Sequence, residues 1–231
     1  MRLNSLLILG LLAASGWQPL LAQSTAAERI SALKANLASS QATLRQYEWI
    51  ETTTVAVKGD EKSRQQERCF YGADGKLTKV ALTQPAPAQK ARGLRGRIAE
   101  KKKEELTDYM KEAIALVKHY VPPDQTRIQA AKDAGRVSLQ PAPGGGQAKL
   151  TFSDYFKAGD SFALDLDLSS NRPLSASVKT FLDSQKEPVT LQVTFGALND
   201  GTTYPSEAVL EAQGKNLKVT VQNSGYRKLG Q

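Results

Sequence analysis

The chain of 231 residues contains one cysteine, Cys69, and one histidine, His119. A lone thiol closes no internal disulfide, so no disulfide framework holds this fold. In an oxidising compartment such a thiol is expected to be a buried or half-buried strand residue, the usual fate of free cysteine. One histidine and one cysteine do not furnish a metal site or a histidine-based triad. His119 is therefore read as a residue at a helix end. After residue 22 no apolar run is long enough to cross a bilayer. Aromatics make up 6% of the chain and do not interleave with its basic residues, which argues against base stacking and a nucleic-acid partner. Gly144, Gly145 and Gly146 lack the lysine and hydroxyl residue of a phosphate-binding loop and read as a bend. No catalytic constellation, metal site or cofactor motif is readable, so the expectation is a non-enzymatic protein.

What the chain does contain begins with an export signal. Arg2 supplies a positive start, Leu6 to Ala14 an apolar core, and Ala22 a small residue before Gln23. Residues 1–22 read as a cleaved signal peptide and 23–231 as one mature domain in the periplasm or outside the cell.

Residues 149–226 are expected to form six strands. Phe162, Leu164, Leu166 and Leu168 alternate with polar or small residues, as do Val189, Leu191, Val193 and Phe195, and then Leu217, Val219 and Val221. Alternation gives each strand one apolar and one wet face, the pattern of an antiparallel sheet covered on one side. Three more strands are read over residues 47–57, 62–71 and 77–82, with Trp49, Glu51, Thr53, Val55 and Val57 on one face. Val137 to Leu139 reads as a short strand.

Helical periods fill the rest. Thr25 and Glu28 have capping-box spacing, which predicts a helix to about Arg45 with Ile30, Leu33, Leu37 and Leu44 on one stripe. A second helix over about 97–120 carries Leu106, Met110, Ala113, Ile114 and Val117, and Pro122 stops it. A third, short helix spans about 124–134. The fold class is then α+β: a large curved antiparallel sheet, an open half-barrel, with helices packed on its concave side.

Two groups of residues are candidate contacts. The apolar stripe Leu106, Met110, Ile114 and Val117 is expected to face Phe162, Leu164, Leu191, Val193 and Val219, with an apolar ligand between them. The segment 90–103 holds Lys90, Arg92, Arg95, Arg97, Lys101, Lys102 and Lys103 against Glu100, following a stiff linker over 84–88. Of the formal charge of +8, most lies here. Arg92, Arg95, Arg97, Lys101, Lys102 and Lys103 are candidates to meet an anionic membrane surface or an acidic partner; the alternative is a solvated helix start. Asp160, Asp165 and Asp167 read as the wet face of a strand rather than as an acid–base or calcium cluster.

The chain also resembles a family of exported bacterial proteins without an assigned activity. The likeness is carried by Gln46-Tyr47-Glu48-Trp49, Tyr71-Gly72-Ala73-Asp74-Gly75-Lys76, Arg92-Gly93-Leu94-Arg95-Gly96-Arg97 and Asn223-Ser224-Gly225-Tyr226. More distantly, Asp200-Gly201-Thr202-Thr203-Tyr204-Pro205 and the strand around Leu217 to Val221 resemble the LolA/LolB-like periplasmic carriers and receptors of outer-membrane lipoproteins. That resemblance implies an open half-barrel whose interior holds acyl chains, and hence a lipid or lipoprotein as partner. The alternative is a structural or interaction protein of the envelope, with a filled interior and segment 90–103 as its contact surface. The long basic segment departs from the carrier pattern.

Overall fold

A computed structural model describes residues 19–82 and 94–230. Three helices, α1 (Pro19–Leu44), α2 (Leu94–Val117) and α3 (Gln125–Asp133), accompany ten strands. The strands are β1 (Tyr47–Val57), β2 (Asp60–Tyr71), β3 (Leu77–Ala81), β4 (Val137–Pro141), β5 (Gln147–Ser153), β6 (Ser161–Asp167), β7 (Arg172–Phe181), β8 (Pro188–Ala197), β9 (Thr203–Ala212) and β10 (Leu217–Lys228). The linker expected over 84–88, the positive start of the signal and Arg92 lie outside the described residues.

All ten strands belong to one antiparallel sheet in the order β3-β2-β1-β10-β9-β8-β7-β6-β5-β4. Strands β4 to β10 follow one another as a meander. The chain's first strand then adds to its last, with Val55 opposite Val219 and Val57 opposite Leu217. The two edges, β3 and β4, do not pair, so the sheet stays open. They are consecutive in the chain, and the connection between them carries α2 and α3 across the hollow face.

The register slips between Glu48 and Ile50, Val55 and Ala56, Asp165 and Leu166, and Thr194 and Phe195. Each bulge bends its strand and raises the local twist. At the first, Gly225 sits at φ +65° opposite β1, a backbone position that an L side chain rarely takes. Bulges spread over four ladders curl a ten-stranded sheet without closing it.

The helices cover one face: α1 lies across β1, β7 and β9, α2 against β9, and α3 against β5. The apolar core forms two clusters. One gathers Phe152, Phe162, Leu164, Val178 and Val193 under Leu33 of α1 and Ala131 of α3. The other gathers Val189, Leu210, Leu217 and Val219 under Tyr109, Ala113 and Val117 of α2. Cys69 is fully buried on β2, paired across the ladder with Trp49 and Lys79.

Two expectations need correction. The first helix does not start at a Thr25–Glu28 capping box. It is already helical from Pro19, because Leu20, Leu21 and Ala22 are good helix formers and continue it backwards. The expected cleavage point after Ala22 thus falls in its first turn. Asp160 is not on the wet face of a strand: it precedes β6 and is buried, with 4% of its surface exposed. Asp165 and Asp167 do lie outward, Asp165 3.3 Å from Lys149 Nζ and Asp167 accepting from Ser169.

Candidate functional site

The connection between α2 and α3 turns at Tyr120, and its geometry is set by one buried carboxylate. Asp160 Oδ1 accepts from the Tyr155 backbone N–H at 2.7 Å, and Oδ2 from those of Phe156 at 3.1 Å and Lys157 at 2.8 Å. The Tyr120 hydroxyl donates to the same Oδ2 at 2.5 Å, with Thr180 Oγ1 2.8 Å from that hydroxyl. Burial first, and then the facing Asp160, push the Tyr120 hydroxyl well above its ordinary pKa, so it remains a donor. Tyr155 Oη in turn accepts from the backbone N–H of Asp124, the residue whose side chain caps α3 through Arg127 N–H. One carboxylate therefore joins the helix corner, the β5–β6 loop and β7. His119, just before Tyr120, is exposed and stacks on Phe156 at 4.4 Å.

On the other side, α1 is pinned to the start of β9. Ser40 Oγ accepts from the Thr203 backbone N–H at 3.0 Å. Tyr47 Oη, just after α1, donates to Asp200 at 2.7 Å in the turn before β9. The two anchors hold α1 and the α2–α3 corner apart above the sheet.

Between them lies a cavity of about 360 Å³. Its roof is Leu33, Lys34 and Leu37 of α1, Val121 and Pro123 of the corner, and Gln125, Ile128 and Gln129 of α3. Its floor is Leu150 and Phe152 of β5, Phe162 and Leu164 of β6, Pro173 and Ala176 of β7, and Phe195 of β8. Leu150 and Phe152, and Phe162 and Leu164, alternate along their strands, and the bulge between β6 and β7 brings Pro173 onto the same face as Ala176, so one apolar surface is continuous. The volume is at the low end of ordinary ligand pockets, about 300–1,000 Å³.

The nine apolar residues singled out in the sequence are distributed over both clusters. Phe162 and Leu164 line the cavity. Val193 packs in the same cluster, and Leu191 touches both. Leu106, Met110, Ile114, Val117 and Val219 belong to the cluster under α2. Within α2 the most deeply buried stripe is Tyr109, Ala113 and Val117. Sequence periodicity favoured the aliphatic neighbours of Tyr109. The Tyr109 hydroxyl reaches the backbone of Gly214, where an added Cβ would come within 2.7 Å of it and force the ring to shift.

Of the basic residues, Arg97, Lys101, Lys102 and Lys103 lie on the first half of α2, and every residue from 97 to 105 is exposed. Ile98 is among them, 51% exposed. Arg95 falls in the first turn of the same helix, and its side chain lies outside the description. Among the described residues no group of three or more histidine, cysteine or acidic side chains is placed to hold a metal ion.

No protein-family model and no curated protein sequence matches the chain. Solved structures do show similarity. A LolA superfamily protein from Nitrosomonas europaea is 11% identical with a TM-score of 0.39, over 86% of this chain and 94% of that one. An outer membrane lipoprotein-sorting protein domain from Vibrio parahaemolyticus is 12% identical with a TM-score of 0.36, over 84% of this chain and 91% of that one. The chain is thus distantly similar, over most of its length, to proteins of the LolA and lipoprotein-sorting type.

Proposed function

We propose that this is a non-enzymatic, exported binding protein that shelters an apolar chain, as part of a lipid or an acylated protein, between its sheet and helices. The observation that carries the reading is the cavity between α1, α3 and strands β5 to β8, walled almost wholly by aliphatic and aromatic side chains. Phe162 and Leu164 contact the ligand directly. Leu191 and Val193 continue the floor towards α2. There Leu106, Met110, Ile114, Val117 and Val219 extend the surface for a longer chain when α2 lifts. No cofactor enters this reading.

The test is a native mass spectrum of protein purified from its own envelope, followed by titration of the delipidated protein with an apolar fluorescent probe. Co-purified lipid and a saturable probe signal are expected. Ala176→Phe places a ring in the cavity, and probe affinity should fall about tenfold or more while the far-ultraviolet dichroism is retained. A lipid-free native protein that does not bind the probe would leave the filled-core structural reading in its place.

A second reading concerns contact rather than cargo, and it rests on the exposed, lysine-rich residues 97–105 of α2. Each basic side chain near an anionic bilayer contributes about 1 kcal/mol. Reversing Lys101, Lys102 and Lys103 to glutamate should abolish sedimentation with anionic vesicles while leaving the melting temperature within a degree or two. Added salt should mimic the reversal. Salt-independent sedimentation would return the segment to a solvated helix start.

A further inference from the structure

The cavity is apolar except at three places, all in its roof: Lys34 on α1 and Gln125 and Gln129 on α3. Among the described residues Lys34 is its only charged lining residue. It is exposed, and among the described residues no carboxylate is paired with it. The acidic residues flanking the neighbouring helix are engaged elsewhere: Asp124 caps α3, and Asp133 accepts from Gln129 Nε2 at 2.7 Å. The nearby arginine, Arg127, holds its guanidinium over the Phe156 ring at 4.4 Å and does not line the cavity. The mouth therefore presents a single uncompensated positive charge beside two amides, above an apolar floor.

Resting on the proposed function, we propose that the cavity selects one single-chain amphiphile ending in a carboxylate, with its chain on Phe162, Leu164 and Phe195 and its head at Lys34. Three observations favour this ligand over other lipids. The volume of about 360 Å³ is near the lower limit for a ligand pocket, which suits one chain rather than two or three. One cation matches one negative charge, whereas a phosphate monoester brings about 1.5–2. The Gln125 amide, and the second Nε2–H of Gln129 beyond the one given to Asp133, complete a polar rim that an uncharged hydrocarbon end would leave unused.

The experiment measures displacement of an apolar fluorescent probe from the delipidated full-length protein at neutral pH. The competitors are dodecanoate, dodecanol, dodecyl phosphate, dodecyltrimethylammonium and a diacyl phosphatidylglycerol. The wild type should bind dodecanoate roughly three- to tenfold more tightly than dodecanol, the range for a partly exposed charge-assisted contact. Lys34→Glu should invert the order in favour of dodecyltrimethylammonium while leaving dodecanol within twofold. Lys34→Arg should keep the wild-type order. Equal affinity for all single chains, or a carboxylate preference that survives Lys34→Glu, would overturn the head-group assignment and leave the carrier reading intact. So would a preference for dodecyl phosphate. Equal displacement by the diacyl lipid would overturn the single-chain limit. Failure of every chain to displace or bind would remove the proposed function itself.

Discussion

Replacing Asp160 with alanine should cost about 3–5 kcal/mol of stability, read from urea denaturation, whereas Asp165→Ala should cost less than about 1 kcal/mol. The two aspartates lie five positions apart and differ only in what surrounds them. Asp160 is buried and satisfies three backbone N–H groups and the Tyr120 hydroxyl. Its removal takes the acceptor from three backbone N–H groups, while the Tyr120 hydroxyl keeps Thr180, and each unsatisfied buried donor costs about 1–3 kcal/mol. Relaxation of the loop recovers part of that sum. Asp165 faces solvent, accepting from Ser175 at 2.6 Å and lying near Lys149. Such exposed contacts contribute little. Equal losses in the two variants would mean that the helix corner is not held by this carboxylate. The Asp160→Ala variant should also widen the cavity mouth, because Tyr120 and Asp124 hang from the same knot.

The second large effect belongs to the apolar face. Leu191→Asp is expected to cost about 3–5 kcal/mol, combining a lost leucine with a carboxylate placed between two hydrophobic clusters. Leu191 sits opposite Val178 on one side and Leu210 on the other. Its chain neighbour Thr190 faces Lys179 and Glu211 instead. Thr190→Asp thus gains one favourable and one unfavourable cross-strand charge and should stay within about 0.5 kcal/mol of the wild type. Thermal melts of both proteins check the contrast. Similar melting temperatures would show that the two residues do not lie on opposite faces.

That contrast is available from sequence alone because a strand's side chains repeat every two residues, and a slip of one would turn every leucine outward. The same logic marked the strands of residues 149–226, the hairpin before them and the stripe of α2. Legibility ended where a residue's partner lies far along the chain. Asp160 shares the parity of Phe162 and Leu164, the apolar side, whereas Asp165 falls on the alternate positions and faces outward. What the period leaves out is why a carboxylate is tolerated on that side, because its donor Tyr120 lies forty positions earlier. Tyr109 lies beside the aliphatic stripe in the sequence, and Gly214, which makes room for its hydroxyl, is more than a hundred residues away. The cavity was hidden for a related reason. Its floor was visible as alternation, but its roof depends on where α1 crosses the sheet. That crossing is set by Ser40 meeting Thr203 and Tyr47 meeting Asp200. No local period encodes such pairs.

The pairing of β1 with β10 bears on the order in which the molecule can assemble. Contacts such as Tyr47 with Lys228 join segments far apart in the sequence, and Leu229 N–H donates to Gln46 O at 2.8 Å. Closing so long a loop carries a large entropic cost before any contact repays it, which places this ladder among the slow steps of folding. A chain synthesised from its N-terminus has β1 to β3 free long before β10 arrives. During that interval β1 exposes an unpaired edge carrying Trp49, Val55 and Val57, the kind of surface that recruits other chains. The seven-strand meander from β4 to β10 needs only near neighbours and can form by itself. Strand β10 is thus the one that seats the first three strands, and the interval before it does so is when the chain has most need of a holding chaperone.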